Sequence, residues 1–316
     1  MTIIRIGSPV AERPSLTGGS SSRGTHQLLA AASCERQYAF RYVTRQRPQG
    51  EPTFRLVGTL VHSALAYHYA SQMKKPPKWF EKLQARGLGV EQVLEAEGEG
   101  YPEVVENALA TFEAYKARWA GDPVVPLFVE EEFSATLGEL DPAPDRPWPG
   151  LDDEVVTCRV DLVGLLNGLP WIIDHKCTGG EWQRDRLPRF PDQGGEYRLN
   201  LQILMNLHIL RLRLPELGYE APQGFLINRI KRKMPFDFDR NPASPTKLAY
   251  DEAPRQIRGL VYKELDIRAR MKAGIKPVAG YNCYGRYGAC DYIEICAASS
   301  AERRKLVMAT GFTSPR

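Results

Sequence analysis

VDLVGLLNGLPWIIDHK, residues 160–176, is the stretch on which the fold turns. It reads as two short apolar strands joined by Asn167-Gly168. Asn-Gly between hydrophobic runs is the strongest short-range hairpin signal, because both turn positions need a positive φ. With a two-residue turn, Leu166 faces Leu169, and counting outward sets Asp161 opposite Asp174. Opposed residues in an antiparallel pair have Cβ atoms roughly 4.5–5.5 Å apart. Side chains alternate along a strand, so Lys176 shares a face with Asp174. Pro170 removes one ladder donor and loosens the turn.

One register thus gathers two carboxylates and an ammonium. Two close carboxylates repel unless a proton or cation lies between them. Mg²⁺ and related hard cations are held by one or two carboxylates plus substrate phosphates. A metal with a lysine beside a phosphodiester is nuclease chemistry. The competing reading is a surface hairpin with a scattered ion pair.

The 316 residues allow one large domain or two small ones. Hydrophobic residues make up 43% and charged residues 25%, the balance of an ordinary globular protein. A net charge of +4 suits an acidic polymer without requiring one. No apolar run reaches the roughly 18 residues of a membrane span, and no signal-peptide core opens the chain, so a cytoplasmic protein is expected. Six cysteines in a reducing compartment are metal ligands or free thiols rather than disulfides.

Residues 1–24, with Gly18-Gly19 and three serines, are expected to be a flexible tail. A helix is expected from Thr25 through Val43, carrying Cys34 and interleaving Arg36, Arg41 and Arg45 with Tyr38, Phe40 and Tyr42. That mixture suits either a nucleic-acid track or an amphipathic helix with a solvated basic face. A second helix, about Phe54–Met73, carries Gly58 and His62. The glycine lets another group approach the helix, and a neutral imidazole is a competent third ligand. A core histidine is the plainer alternative.

Pro76-Pro77 end that region, and a helix follows at about Pro102–Trp119. LFVEEEFSATL then reads as a strand in which either Glu130 with Glu132, or Glu131, faces the site. Residues 177–195 read as a polar loop, and a long helix at about Glu196–Leu214 carries Tyr197, Gln202 and Asn206. A strand ending in Lys231, Arg232 and Lys233 comes next, then a charged helix at about Ala253–Met271. Asp237 and Asp239 are ordinary strand patterning.

Cys283, Cys290 and Cys296 form C-x6-C-x5-C. Three cysteines so close point to zinc or an iron–sulfur cluster, each of which usually takes four thiolates. Cys158 and Cys177 lie on or beside the central strands, so Cys34 is the better fourth ligand.

Together these features resemble the RecB-like branch of the PD-(D/E)XK nuclease superfamily, and within it the Cas4-like members that close a cluster around the nuclease fold. The resemblance runs from about Thr25 to Cys296. The family's G-x-x-x-H is matched by Gly58 and His62, its strand aspartate and D/E-x-K by Asp161, Asp174 and Lys176, and its helix glutamine by Gln202. Asn206 stands at the family's tyrosine position, with Tyr197 as the substitute. Cys34 before the core and Cys283, Cys290 and Cys296 after it follow the cluster arrangement.

The resemblance implies an α/β fold: a restriction-endonuclease-like core with a central mixed sheet flanked by helices, its ends stapled by a 4Fe-4S cluster. The nuclease domain would span 25–300 and a tail 301–316. It further implies a phosphodiesterase acting on single-stranded DNA or DNA ends, in recombination, repair or phage DNA processing. His62, Asp161, Asp174 and the His175 carbonyl would hold Mg²⁺ or Mn²⁺, Lys176 would position water, and Tyr197 and Gln202 would contact substrate. The rivals are a non-catalytic DNA-binding relative and a zinc-stabilised structural or adaptor protein.

Overall fold

The computed structural model describes residues 23–48, 53–142, 147–178, 200–243, 245–280, 283–285 and 288–313. The chain enters through α1 (Thr25–Ser33), α2 (Glu35–Tyr38) and a π-helical turn (Ala39–Val43). The expected single helix is broken at Cys34, whose extended backbone (φ −157°, ψ 108°) ends α1 and caps α2. The aromatics there turn inward: Tyr38 is fully buried and Phe40 stacks on Tyr292. Arg41 and Arg45 are exposed, with Val43 and Thr44 between them. A short strand β1 (Arg47–Pro48) follows.

Next come α3 (Thr53–Ala70), α4 (Lys78–Ala85), α5 (Val90–Glu97) and α6 (Pro102–Arg118). Pro77, expected only to end a helix, is the N-cap of α4. The strand β2 (Val125–Thr136), the short α7 (Leu137–Leu140), β3 (Val155–Leu166) and β4 (Leu169–Thr178) complete the first part of the core. Then come α8 (Leu201–Glu216), β5 (Phe225–Lys231), β6 (Asp237–Ala243) and α9 (Lys247–Lys272). The order in the sheet is β2-β3-β4-β5-β6, with β4–β5 parallel and the other pairs antiparallel.

The hairpin is as read from the sequence. Leu166 pairs with Leu169, and Asn167 and Gly168 have φ of 54° and 80°. Pro170 is harmless because it pairs with Leu165, one step beyond the hydrogen-bonded pair that flanks the turn, where no bond crosses the hairpin. Its carbonyl accepts from Gln223 N at 2.9 Å. One face of the sheet packs on α8 and α9 through Ile203, Leu207, Leu210, Ile257 and Val261. The other packs on α3 and α6 through Leu60, Leu65, Phe112 and Tyr115. Both layers bury continuous apolar surface, worth about 25 cal/mol per Å² removed from water.

The helix α9 starts six residues before the expected position, and Pro254 lies inside it. A proline leaves the carbonyl four residues back without its donor. Here that carbonyl belongs to Tyr250, and His208 Nε2 lies 2.8 Å from it, with the imidazole stacked on the Tyr250 ring at 3.8 Å.

Beyond α9 the chain returns to the N-terminal helices. Strands β7 (Tyr284–Gly285) and β8 (Gly288–Ala289) pair, followed by α10 (Ile293–Ala297), α11 (Ala301–Gly311) and β9 (Phe312–Thr313). The span expected as a tail therefore carries a helix and a strand, and β9 pairs antiparallel with β1. Tyr292 is sandwiched between Phe40 and Phe312, with ring centroids 5.5 and 5.6 Å away. Its hydroxyl donates to Gln46 O at 2.8 Å. At the other boundary Arg23 is docked, pairing with Glu154 and Glu264. Residues 1–22 of the expected N-terminal tail lie outside the described residues. No described helix is long and apolar enough to cross a membrane.

Candidate active site

The strand register changes phase at one point, and the polar residues gather there. On β3, Val160 packs with the α8/α9 face and Leu162 with the α3/α6 face, so the alternation slips at Asp161. Across from it on β2, Val129 pairs with Leu162 and Glu131 with Val160. Glu130 between them has a φ of 51°. A positive φ at a non-glycine residue is uncommon and marks a locally forced backbone. Glu130 thereby turns toward Asp161, while Glu131 and Glu132 are exposed.

The β3–β4 ladder ends at Leu162↔Ile173. One step further the main-chain N–H of His175 donates to Asp161 Oδ2 at 2.7 Å. A side-chain carboxylate takes the place of a ladder carbonyl. From α3, His62 Nδ1 reaches within 3.6 Å of the same oxygen. His62, Glu130 and Asp161 each offer one ligand atom, and these atoms all lie within 4.8 Å of one another. Among the described residues this is the group with the spacing of a metal site.

The electrostatics are those of a cation site. Burial and then the neighbouring Asp161 push the Glu130 carboxyl up to about 9. Asp161 is also raised, by burial first and by Asp174, against the opposing pull of His62 and Lys176. Asp174 and Lys176 do share a strand face, and Lys176 Nζ lies 2.6 Å from Asp174 Oδ2. Burial works against the ammonium, but Asp174 and then Asp161 raise its pKa overall. Asp174 is not in the tight His62–Glu130–Asp161 group.

The side chain of His175 meets the His62 ring edge to face, centroids 5.7 Å apart, and enters a buried polar network, where its Nδ1 lies 2.7 Å from Asn228 Nδ2. What approaches α3 at Gly58 is β4 itself: a Cβ on Gly58 would stand 3.7 Å from Cys177 Cβ. Gln202 is half-buried in the first turn of α8, its N–H donating to Asn200 Oδ1 at 2.9 Å. Tyr197 lies outside the described residues. His26, which the sequence reading passed over, lies within Coulombic reach of Lys176 and Asp174. Burial and then Lys176 lower its pKa.

All six cysteines are free thiols, and Cys34, Cys283, Cys290 and Cys296 belong to the segments that flank the core. Cys34 Sγ accepts main-chain N–H groups from Gln37 at 3.4 Å and Gly280 at 3.3 Å. Gly280 abuts the helix break so closely that a Cβ there would stand 2.1 Å from Ser33 O and 2.9 Å from Cys34 Cβ. Cys283 N-terminal to the β7–β8 turn faces Gly280 O, and its own carbonyl accepts Cys290 N at 2.7 Å. Burial, then Cys34 and Cys296 among its charged neighbours, raise the Cys290 thiol. Cys158 is buried in the sheet core and Cys177 packs under α3, both away from this lobe. Among the described residues, no three of the sulfurs lie within 4.8 Å of one another.

Over residues 25–297 the chain matches the PD-(D/E)XK nuclease superfamily. No curated protein matches it. Among solved structures, a candidate exonuclease from Eubacterium rectale superposes with a TM-score of 0.48 at 14% identity, covering 83% of this chain and 85% of that one. The protein SSO0001 superposes with a TM-score of 0.30 at 12% identity, covering 80% of this chain and 100% of that one.

Proposed function

Because the chain belongs to the PD-(D/E)XK nuclease superfamily, whose members are generally metal-dependent nucleases, we propose that it is a deoxyribonuclease of the RecB-like, Cas4-like kind. Its substrates would be DNA ends or single strands, in recombination, repair or phage DNA processing. The observation that carries this reading is the convergence of His62, Glu130 and Asp161, with Lys176 beside them.

The donor set fits a hard divalent cation: two carboxylate oxygens and an imidazole, with both carboxyls raised by burial first and then by a neighbouring carboxylate. We assign His62, Glu130 and Asp161 as the core ligands of Mg²⁺ or Mn²⁺, completed by Asp174 and the His175 carbonyl. A cation held there supplies charge stabilisation at the phosphate and an acidified water. Lys176, kept protonated and oriented by Asp174, holds the attacking water by a charge-assisted hydrogen bond. Gln202, in the first turn of α8, and Tyr197 are assigned to the substrate. The cysteine lobe is read as a 4Fe-4S site on Cys34, Cys283, Cys290 and Cys296. The support is the sequence pattern, one cysteine before the core and C-x6-C-x5-C after it; zinc on the same four thiolates is the alternative.

End-labelled single strands and duplexes, incubated with purified protein and Mg²⁺ or Mn²⁺, test the reading. Cleavage that a chelator abolishes is expected. DNA binding without cleavage under any divalent ion would instead make the chain a non-catalytic relative.

A further inference from the structure

Beneath the site lies a buried hydrogen-bond chain with a fixed direction. At its outer end Arg240 grips Asp122, Nη1 to Oδ1 and Nη2 to Oδ2, both at 2.6 Å. A guanidinium only donates and a carboxylate only accepts. The second Nη2 hydrogen of Arg240 is shared between the hydroxyls of Tyr69 and Tyr115, each 2.8 Å from Nη2. Tyr69 gives its own proton to Asp122 Oδ2 at 2.9 Å. In the 2.8 Å contact between the two hydroxyls, Tyr115 must therefore be the donor. With its proton used, Tyr115 can only accept from the next group, which is Asn228 Nδ2 at 2.8 Å. The amide of Asn228 is thus oriented with its NH₂ inward, and that same NH₂ faces His175 Nδ1 at 2.7 Å. Nδ1 has to accept.

We propose that Asn228 is a positioning residue that relays the direction of the Arg240–Asp122 pair to His175, holding the ring in its Nε2–H tautomer and its main-chain N–H on Asp161. The inference rests on the nuclease reading only for its consequence at the metal site; the tautomer follows from the network alone. Both ring nitrogens are then committed, so the imidazole is not a ligand. Strand pairing makes the relay rigid: His175 and Asn228 are direct partners in the parallel β4–β5 ladder. The ring is further held face to face with Tyr69, centroids 6.0 Å apart.

The direct test is a two-dimensional ¹⁵N–¹H spectrum of the histidine rings in the full chain with saturating Mg²⁺; the five histidines are few enough to assign with single His→Gln variants. A pyridine-like Nδ1 and a protonated Nε2 at His175 are expected; a protonated Nδ1 would overturn the proposal. In Tyr115→Phe, which keeps the ring but frees the amide to rotate, the His175 signals should move toward a mixture of tautomers. Unchanged signals there would also overturn the relay. For the consequence, Asn228→Leu should bind Mn²⁺ about 10–100-fold more weakly, as losses in the shell behind a ligand usually do. His175→Asn, which keeps an acceptor at the Nδ1 position for Asn228, should retain most of the wild-type affinity. Equal Mn²⁺ affinity in wild type and Asn228→Leu would sink the positioning role. Wild-type protein that binds no Mn²⁺ would sink the metal assignment and leave the tautomer result standing.

Discussion

Lys176 Nζ stands 2.6 Å from Asp174 Oδ2, the two residues lying next but one on a single strand. The contact holds a cationic donor at the rim of the carboxylate pair. Lys176→Met should therefore lower DNA cleavage by about 10²–10⁴-fold, the range for a positioned proton-transfer group. Mn²⁺ affinity, read by calorimetry, should stay near wild type because the core ligands are untouched. Turnover within a factor of two of wild type would remove Lys176 from the chemistry.

Glu130 gives a pH dependence. Its folded carboxyl titrates at about 9 against an ordinary 4.5. Between those values the folded metal-free protein holds a proton that the unfolded chain has released. Stability must then fall as pH rises across that window. Glu130→Gln should flatten the decline and raise the melting temperature at pH 8 by roughly 2–4 °C, about 1 kcal/mol for a chain of this size. The same change should weaken Mn²⁺ binding. Parallel melting curves against pH in the two proteins would contradict the assignment.

Two glycines should respond in opposite ways to alanine. At Gly58 the new Cβ meets Cys177 Cβ at 3.7 Å, an ordinary contact. The helix should gain about 0.5–1 kcal/mol from the lost glycine freedom. At Gly280 the new Cβ meets main-chain oxygen at 2.1 Å, so Gly280→Ala must prise the chain ends apart. Limited proteolysis should cut Gly280→Ala faster than wild type and Gly58→Ala no faster.

Protein purified without oxygen should be brown and hold iron and acid-labile sulfide. Serine at Cys34, Cys283, Cys290 or Cys296 should bleach it, because a four-thiolate cluster short of a ligand is readily lost. Serine at Cys158 or Cys177 should not. Colourless protein with stoichiometric zinc would overturn the cluster and keep the four-cysteine site.

The hairpin was legible because its turn chemistry and its face pattern are both local. Asn167-Gly168 sets the register, and the register sets Asp174 beside Lys176. The helix carrying His62 was legible from its buried stripe of Leu56, Leu60, Leu65 and Tyr69. The role of Glu130 was not. Strict alternation offers Glu130 with Glu132, or Glu131 alone, and a backbone with positive φ at a glutamate has no sequence signature. Nor was the start of α9, since Pro254 reads as a first-turn proline. The donor that lets it sit deeper is His208, on another helix. The polar network behind His175 was equally hidden, because Asp122 is far in sequence from the β5–β6 pair Asn228 and Arg240 and each alone looks like a surface residue. In each case the missing information was a partner from a distant segment.

The Phe40–Tyr292–Phe312 sandwich and the β1–β9 pairing have a consequence for how the protein is made. Cys34 leaves the ribosome about 250 residues before Cys296. At 5–20 residues per second that is a wait of roughly 10–50 s. During it the nuclease core can fold while the N-terminal helices carry Cys34 without the Gly280 N–H that it accepts and Phe40 without its stack. The lobe is thus the last part to close, and the nascent chain presents Cys34 to oxidants, and Phe40 to chaperones, until Phe312 has been added.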